Sequence, residues 1–154
     1  MITFEPIGTV VSDFATPEEL HVACEKGKRF DARSRIFIKE HMTSGLEGLS
    51  EFSHIWVIYH LHKAKDTEMR TYPGPASVRG LPEVGIFASR SQYRPNHIAL
   101  RLVKLVSIYD NVIEVEGLDA IDGTPVFDIK PFVKGFDYPE NPKDADWYRW
   151  LDED

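Results

Sequence analysis

The sequence predicts a mainly β protein, a small closed or nearly closed antiparallel β-barrel with long loops and little helix. Three observations carry this. Short segments of alternating apolar and polar residues recur along the chain, Gly, Pro, Asn and Asp turn chemistry separates them, and no long 3.6-residue apolar stripe competes. About seven such strands leave edges that closure would hide.

The elements follow in order. Residues 7–14 open the alternation, and 35–40 repeat it with Ile36 and Ile38 on one parity. TSGLEGLSEF supplies turn chemistry before 54–62, HIWVIYHLH, the next predicted strand. Residues 63–83 carry Pro73, Gly74, Pro75, Gly80 and Pro82 and read as one long loop, a kind of segment that is usually functional or mobile. In 84–89, Val84, Ile86 and Ala88 alternate with Gly85, Phe87 and Ser89, which predicts a buried strand. Residues 98–108 turn through YDN into 112–118, and DAIDGTP leads into 126–129. The barrel domain is placed at 1–136. The acidic tail 137–154 holds Trp147, Tyr148 and Trp150, aromatics expected to pack on the barrel or on a dimer partner.

A length of 154 residues with 42% hydrophobic content suits one domain with a real core. No window approaches the roughly 18 apolar residues of a membrane span, and Met1 leads into ITFEPIG, so a cytoplasmic protein without membrane attachment is expected. Cys24 is the only cysteine, which excludes an internal disulfide and any multi-cysteine metal site. Eighteen basic against 25 acidic residues give a formal charge of −7, the wrong sign for indiscriminate nucleic-acid binding. An RNA partner would have to meet a local patch. Lys26, Lys28, Arg29, Arg33 and Arg35 form one cluster, and Arg90, Arg94, Arg101 and Lys104 another.

Chemistry is expected at strand ends. In GIFASRSQYRPN, at 85–96, Arg90 and Arg94 offer forked donors for carboxylate or phosphate, and Pro95 biases Arg94 away from helical backbone. A clamp on backbone carbonyls is the other reading of these arginines. His54, His60 and His62 share strand parity, but six residues, about 20 Å of extended chain, separate His54 from His60. Hydrogen-bonded histidines at a pocket rim are favoured over a metal site, so no metal is expected. Asp119 and Asp122 precede a Gly-Thr-Pro turn, and Asp128 and Lys130 lie two apart on the following strand. Asp122 serves either that turn or a ligand's hydroxyl or amino group. GxGxxG, P-loop, GxSxG and HExxH signatures are all absent from the sequence.

Four ordered motifs, IGTVVSDFATPEEL, GLEGLSEFSHIWVIYHLHK, GIFASRSQYRPN and DGTPVFDIKPF, together resemble the TsaA-like domain family over most of 5–133. The resemblance implies a small dimerising barrel that binds S-adenosylmethionine in its loops, without Rossmann glycines. It also implies N6-methylation of threonylcarbamoyladenosine in tRNA as the activity. On the matching positions it assigns cofactor contacts to His62, Lys63, Arg90, Leu100, Asp119, Ala120, Ile121, Asp122, Gly123 and Thr124. Three departures stand out, one of them the missing extra C-terminal domain of some bacterial members. RPNHIAL replaces the usual RPNPIGL, with His97 and Ala99, and LHVACEKG stands in the first cofactor segment.

The resemblance therefore implies an S-adenosylmethionine-dependent tRNA methyltransferase acting as a homodimer. Alternatives are a cofactor-binding sensor or interaction domain without transfer activity, or methylation of another acceptor. A sulfonium methyl donor is already activated, so aligning the reactants is the main task and no triad is required. Arg94 and Asn96 are expected to position substrate, and the base is unassigned.

Overall fold

The structure is a computed structural model describing residues 1–25, 30–75 and 78–151, with the side chains of Glu25 and Trp150 left aside. Lys26, Lys28 and Arg29 of the first basic cluster lie outside the described residues.

Chain contacts group the molecule into two units, residues 1–63 with 98–132 and residues 64–97 with 133–154. The first unit is a closed antiparallel barrel of six strands. These are β1 (Gly8–Val11), β2 (Arg33–Ile38), β3 (His54–His60), β6 (Ile98–Tyr109), β7 (Val112–Glu116) and β8 (Pro125–Pro131). Around the barrel the order is β1-β2-β7-β6-β3-β8, and β8 closes it by pairing Val126 with Gly8 of β1. Alternation does what the sequence predicts. Ile55, Val57 and Tyr59 of β3 point inward and are buried, as are Ile36 and Ile38 of β2 and Ile113 and Val115 of β7. Six strands enclose a space that branched side chains fill, leaving a packed interior.

The β6–β7 hairpin turns at Asp110, whose φ is 51°, and is tied to β2 by Asn111. The Asn111 amide donates to the Ile38 carbonyl at 2.6 Å, and Ile38 N–H donates back to the Asn111 carbonyl at 2.8 Å. Register shifts between Leu105 and Ser107, and between Ile58 and Tyr59, mark bulges that bend the strands for closure.

A helix that the alternation argument passed over interrupts the sheet. α1 (Pro17–Glu25) follows β1 and starts on a capping arrangement. Thr16 Oγ1 accepts from Glu19 N–H at 3.2 Å, while the Glu19 carboxylate reaches back to Ala15 N–H at 2.9 Å. TSGLEGLSEF is two short 3-10 turns, Glu40–Leu46 and Leu49–Glu51.

The second unit is largely irregular. β4 (Arg70–Thr71) and β5 (Val84–Gly85) form a two-stranded sheet outside the barrel, and α2 (Lys134–Asp137) is one turn. The strand expected at 84–89 is thereby corrected. After Gly85 the chain enters a 3-10 turn, Ile86–Ala88, and burial falls on Ile86 and Ser89, three apart, instead of alternating. Ser89 is the physical reason: its hydroxyl donates to the Ile86 carbonyl at 2.8 Å, a local bond that competes with a strand ladder. Tail residues Trp147 and Tyr148 stack on each other with ring centres 4.5 Å apart, within the 3-10 turn Asp146–Leu151.

Candidate functional site

The antiparallel order brings the C-terminal ends of β1, β3 and β7 and the N-terminal ends of β2, β6 and β8 to the same end of the barrel. At this end the loop from Gly117 to Thr124 connects β7 to β8. Gly117 has φ 97°, which strains any side chain, and a Cβ there would also press the Phe30 carbonyl oxygen at 3.2 Å. Leu118, Ala120 and Ile121 turn inward and are buried. Gly123, at φ 84°, completes the Asp-Gly-Thr turn, and Thr124 Oγ1 closes it by donating to the Ile121 carbonyl at 2.7 Å.

Both acidic residues of the loop are tied to the barrel. The Ser12 N–H donates to Asp122 Oδ1 at 3.1 Å, and the Ser12 hydroxyl donates to the Ala120 carbonyl at 3.0 Å. Asp122 thus ties the loop to the residue that follows β1, a long-range partner and not an amide of its own turn. Asp119 is held from inside the barrel. The hydroxyl of Tyr59, a residue only 3% exposed, sits 2.5 Å from Asp119 Oδ1 and 3.2 Å from the Asp119 carbonyl. Arg101, inward-facing on β6, donates from Nε to the Gly117 carbonyl at 3.1 Å and places Nη1 3.8 Å from Asp119 Oδ2. The Asp119 side chain remains 35% exposed.

Cys24 of α1 feels both charges. Burial pushes its thiol up to about 11, Asp119 adds to the rise and Arg101 opposes it. Burial also lowers the pKa of His62 below its ordinary 6.5. Nearby Lys63 and His60 lower it further, and a backbone hydrogen bond at His60 works in the other direction. His62 lies just beyond the end of β3, its ring 6.4 Å from that of His60. Lys63 is exposed, and Leu100, 43% exposed, lies opposite Ile58 on the outward face of β6. Far from them, His54 accepts or donates at 2.7 Å with Ser53 and packs near Phe132. Among the described residues no three His, Cys, Asp or Glu side chains converge as a metal site would require.

The remaining sequence-predicted residues belong to the second unit. Arg90 and Asn96 are exposed. Arg94 is half-buried and turned onto its own loop, donating from Nη1 to the carbonyls of Ile86 at 3.2 Å, Ser89 at 2.8 Å and Ser91 at 3.3 Å. It is a clamp on backbone carbonyls, one of the two readings of this arginine. His97 is similarly occupied, its Nε2 lying 3.2 Å from the Asp66 carbonyl. The first barrel cluster of basic residues is partly neutralised too: Arg33 pairs with Glu114 at 3.5 Å and Glu116 at 3.6 Å, and Arg35 lies over the Phe37 ring.

The profile of the tRNA-methyltransferase O N-terminal domain matches residues 10–138. The chain belongs to this family. A protein named as a probable S-adenosyl-L-methionine-binding protein of Pyrococcus abyssi is 36% identical over 141 residues, covering 92% of this chain and 73% of that one. A tRNA (adenine(37)-N6)-methyltransferase of Mus musculus is 37% identical over 142 residues, covering 89% of this chain and 32% of the enzyme. The crystal structure of TrmO from Pseudomonas aeruginosa matches with a TM-score of 0.70 at 28% identity, covering 94% of this chain and 62% of that one. The chain spans less than two thirds of the length of either enzyme.

Sequence reasoning gave Tyr59 and Cys24 no part in this constellation, and it placed Arg101 in a basic patch for an RNA partner, not on Asp119. Tyr59 shares parity with Ile55 and Val57 and reads as core, and Arg101 reads as surface charge. The signal available was a tyrosine and an arginine at inward positions of strands whose other inward residues are aliphatic. Such polar tips need a partner.

Proposed function

We propose that the protein is an S-adenosylmethionine-dependent methyltransferase whose acceptor is N6 of threonylcarbamoyladenosine in tRNA. The observation that carries this reading is the family match over residues 10–138, with family relatives named for the cofactor and for tRNA adenine N6-methylation. The barrel end suits the cofactor in its chemistry. The partly exposed Asp119 carboxylate, held by Tyr59 and Arg101, can accept from hydroxyl or ammonium groups, and the buried Leu118, Ala120 and Ile121 make the loop behind it rigid. His62, Lys63, Leu100 and the loop residues Asp119 to Thr124 are the proposed cofactor contacts of the barrel, and Arg90 is a further one.

When bound, S-adenosylmethionine supplies an electrophilic methyl group whose transfer leaves a neutral thioether. The chain's own task is to hold the reactants in line and keep water out. Burial favours the neutral form of the His62 imidazole, which offers an acceptor nitrogen without adding positive charge. Asn96 and Arg94 are proposed to position substrate, Arg94 through the loop shape it clamps. Exposed basic residues outside the cofactor set, Lys104 among them, are the proposed phosphate contacts. A homodimer in the cytoplasm completes the proposal. The outward apolar residues Ile98 and Leu100 of β6, 39% and 43% exposed, support a protein partner on that face.

The test is incubation with methyl-labelled cofactor and tRNA carrying threonylcarbamoyladenosine. Label in the N6-methylated nucleoside is the expected result. Tight cofactor binding with no transfer to any tRNA would favour a sensor domain and overturn the enzyme reading.

A further inference from the structure

We propose that Tyr59 and Arg101 are positioning residues of this site, fixing the Asp119 carboxylate from within the barrel so that Oδ2 is presented to the hydroxyl or ammonium groups of the cofactor. This rests on the cofactor reading above. Three features of the geometry point to it. First, the Tyr59 hydroxyl serves the side chain and the backbone of one residue, so it sets both where Asp119 lies and where its carboxylate points. Second, Arg101 fixes the start of the same loop through Gly117, while its Nη1 approaches the carboxylate oxygen that Tyr59 leaves. Third, neither interaction is needed to fill the barrel. Ile55 and Val57 fill the inward side of β3 without polar atoms, and phenylalanine would supply the same ring volume at Tyr59. An ion pair at 3.8 Å between groups 38% and 35% exposed adds little stability, so its value lies in orientation.

The experiment compares the wild-type protein with Tyr59→Phe, Asp119→Asn and the double variant. It reads the Kd of S-adenosylhomocysteine by calorimetry, the melting temperature, and the titration of the Cys24 thiol followed by thiolate absorbance. Tyr59→Phe is expected to weaken S-adenosylhomocysteine about tenfold, the scale of one hydrogen bond to a charged group. The double variant should bind no more weakly than Asp119→Asn alone, because the tyrosine acts through the aspartate. Cys24, whose thiol burial and Asp119 push up, should titrate lower than in the wild-type protein once Asp119 is no longer held near it. A lower melting temperature with unchanged Kd and unchanged Cys24 titration would make Tyr59 a structural residue and overturn the proposal, as would additive losses in the double variant. Arg101→Lys keeps the charge but loses the guanidinium Nε–H bond to Gly117, and should also weaken binding. Unaltered affinity would remove Arg101 from the assignment. Should the wild-type protein fail to bind S-adenosylhomocysteine, the cofactor reading falls, and the Cys24 titration alone decides whether Tyr59 holds Asp119.

Discussion

The two ends of the barrel are built from the same six strands and are opposite in character. At one, Tyr59, Arg101, Asp119 and Ser12 converge on a loop of carbonyls and carboxylates. At the other, the 3-10 turns Glu40–Leu46 and Leu49–Glu51 cover a cavity of about 520 Å³ lined by Ile7, Ile38, Met42, Leu46, Phe52 and Ile129 among others. Its lining is mainly apolar, with the carboxylates of Glu47, Glu51 and Asp128 among it, and none of the residues expected to contact the cofactor lines it. A hollow alone is therefore not a site: specific binding of a charged, hydroxylated ligand needs fixed polar groups. Apolar side chains between strand and turn leave space wherever they fail to interlock, but a buried tyrosine hydroxyl and a carboxylate meet only if the backbone brings them together.

Core truncation should break both ends at once. Ile113→Ala, at a fully buried position of β7, is expected to cost about 2–5 kcal/mol in urea unfolding. Smaller changes should separate the ends. Gly117→Ala, at φ 97° and against the Phe30 carbonyl, should cost about 1–3 kcal/mol and weaken S-adenosylhomocysteine binding. Gly45→Ala, where nothing lies within 4 Å of the new methyl group, should stay within about 0.5 kcal/mol and leave binding alone. If the two alanine variants bound equally well, the loop would not be the ligand's seat. At the apolar end, Leu46→Ala should lower stability by about 1–2 kcal/mol, less than a full core truncation because Leu46 is only partly buried. Its Kd for S-adenosylhomocysteine should remain within about twofold of wild type, since the proposed seat lies at the other end of the barrel. A tenfold loss would move the site to that end.

The gentlest probe is pH. His62 should titrate below 6.5 in a proton NMR titration, because burial disfavours its charged form. The unfolded imidazole then takes its proton first as pH falls through 6.5, so the folded state loses stability on the acid side and gains none above pH 7. A midpoint above 6.5 would mean that a carboxylate partner outweighs burial.

Much of this architecture is legible in the sequence because alternation reports directly on a two-sided sheet. HIWVIYH and VIEVE read as strands, and they are β3 and β7. Where a local bond competes, alternation misleads: Ser89 turned 84–89 into a 3-10 segment. α1 is too short to show a stripe, yet Thr16-Pro17-Glu18-Glu19 spells its capped start, with proline at the first helical position. The DAIDGTP loop is legible through its turn chemistry, but the partner of Asp119 is not, since strand parity says that Tyr59 points inward and says nothing of where its hydroxyl ends. Arg94 was readable only as far as its two alternatives. Choosing the carbonyl clamp required knowing that three carbonyls of one loop face the same guanidinium nitrogen.

The thiol of Cys24 has one further meaning in such a place. A sulfonium is an alkylating agent, and a cysteine anion is among the best nucleophiles a protein can offer it. With its pKa near 11, roughly one Cys24 in ten thousand is ionised at pH 7, and the thiol form is unreactive. On the proposed cofactor seat, burial and the neighbouring Asp119 would thus keep the thiol from taking the methyl group itself.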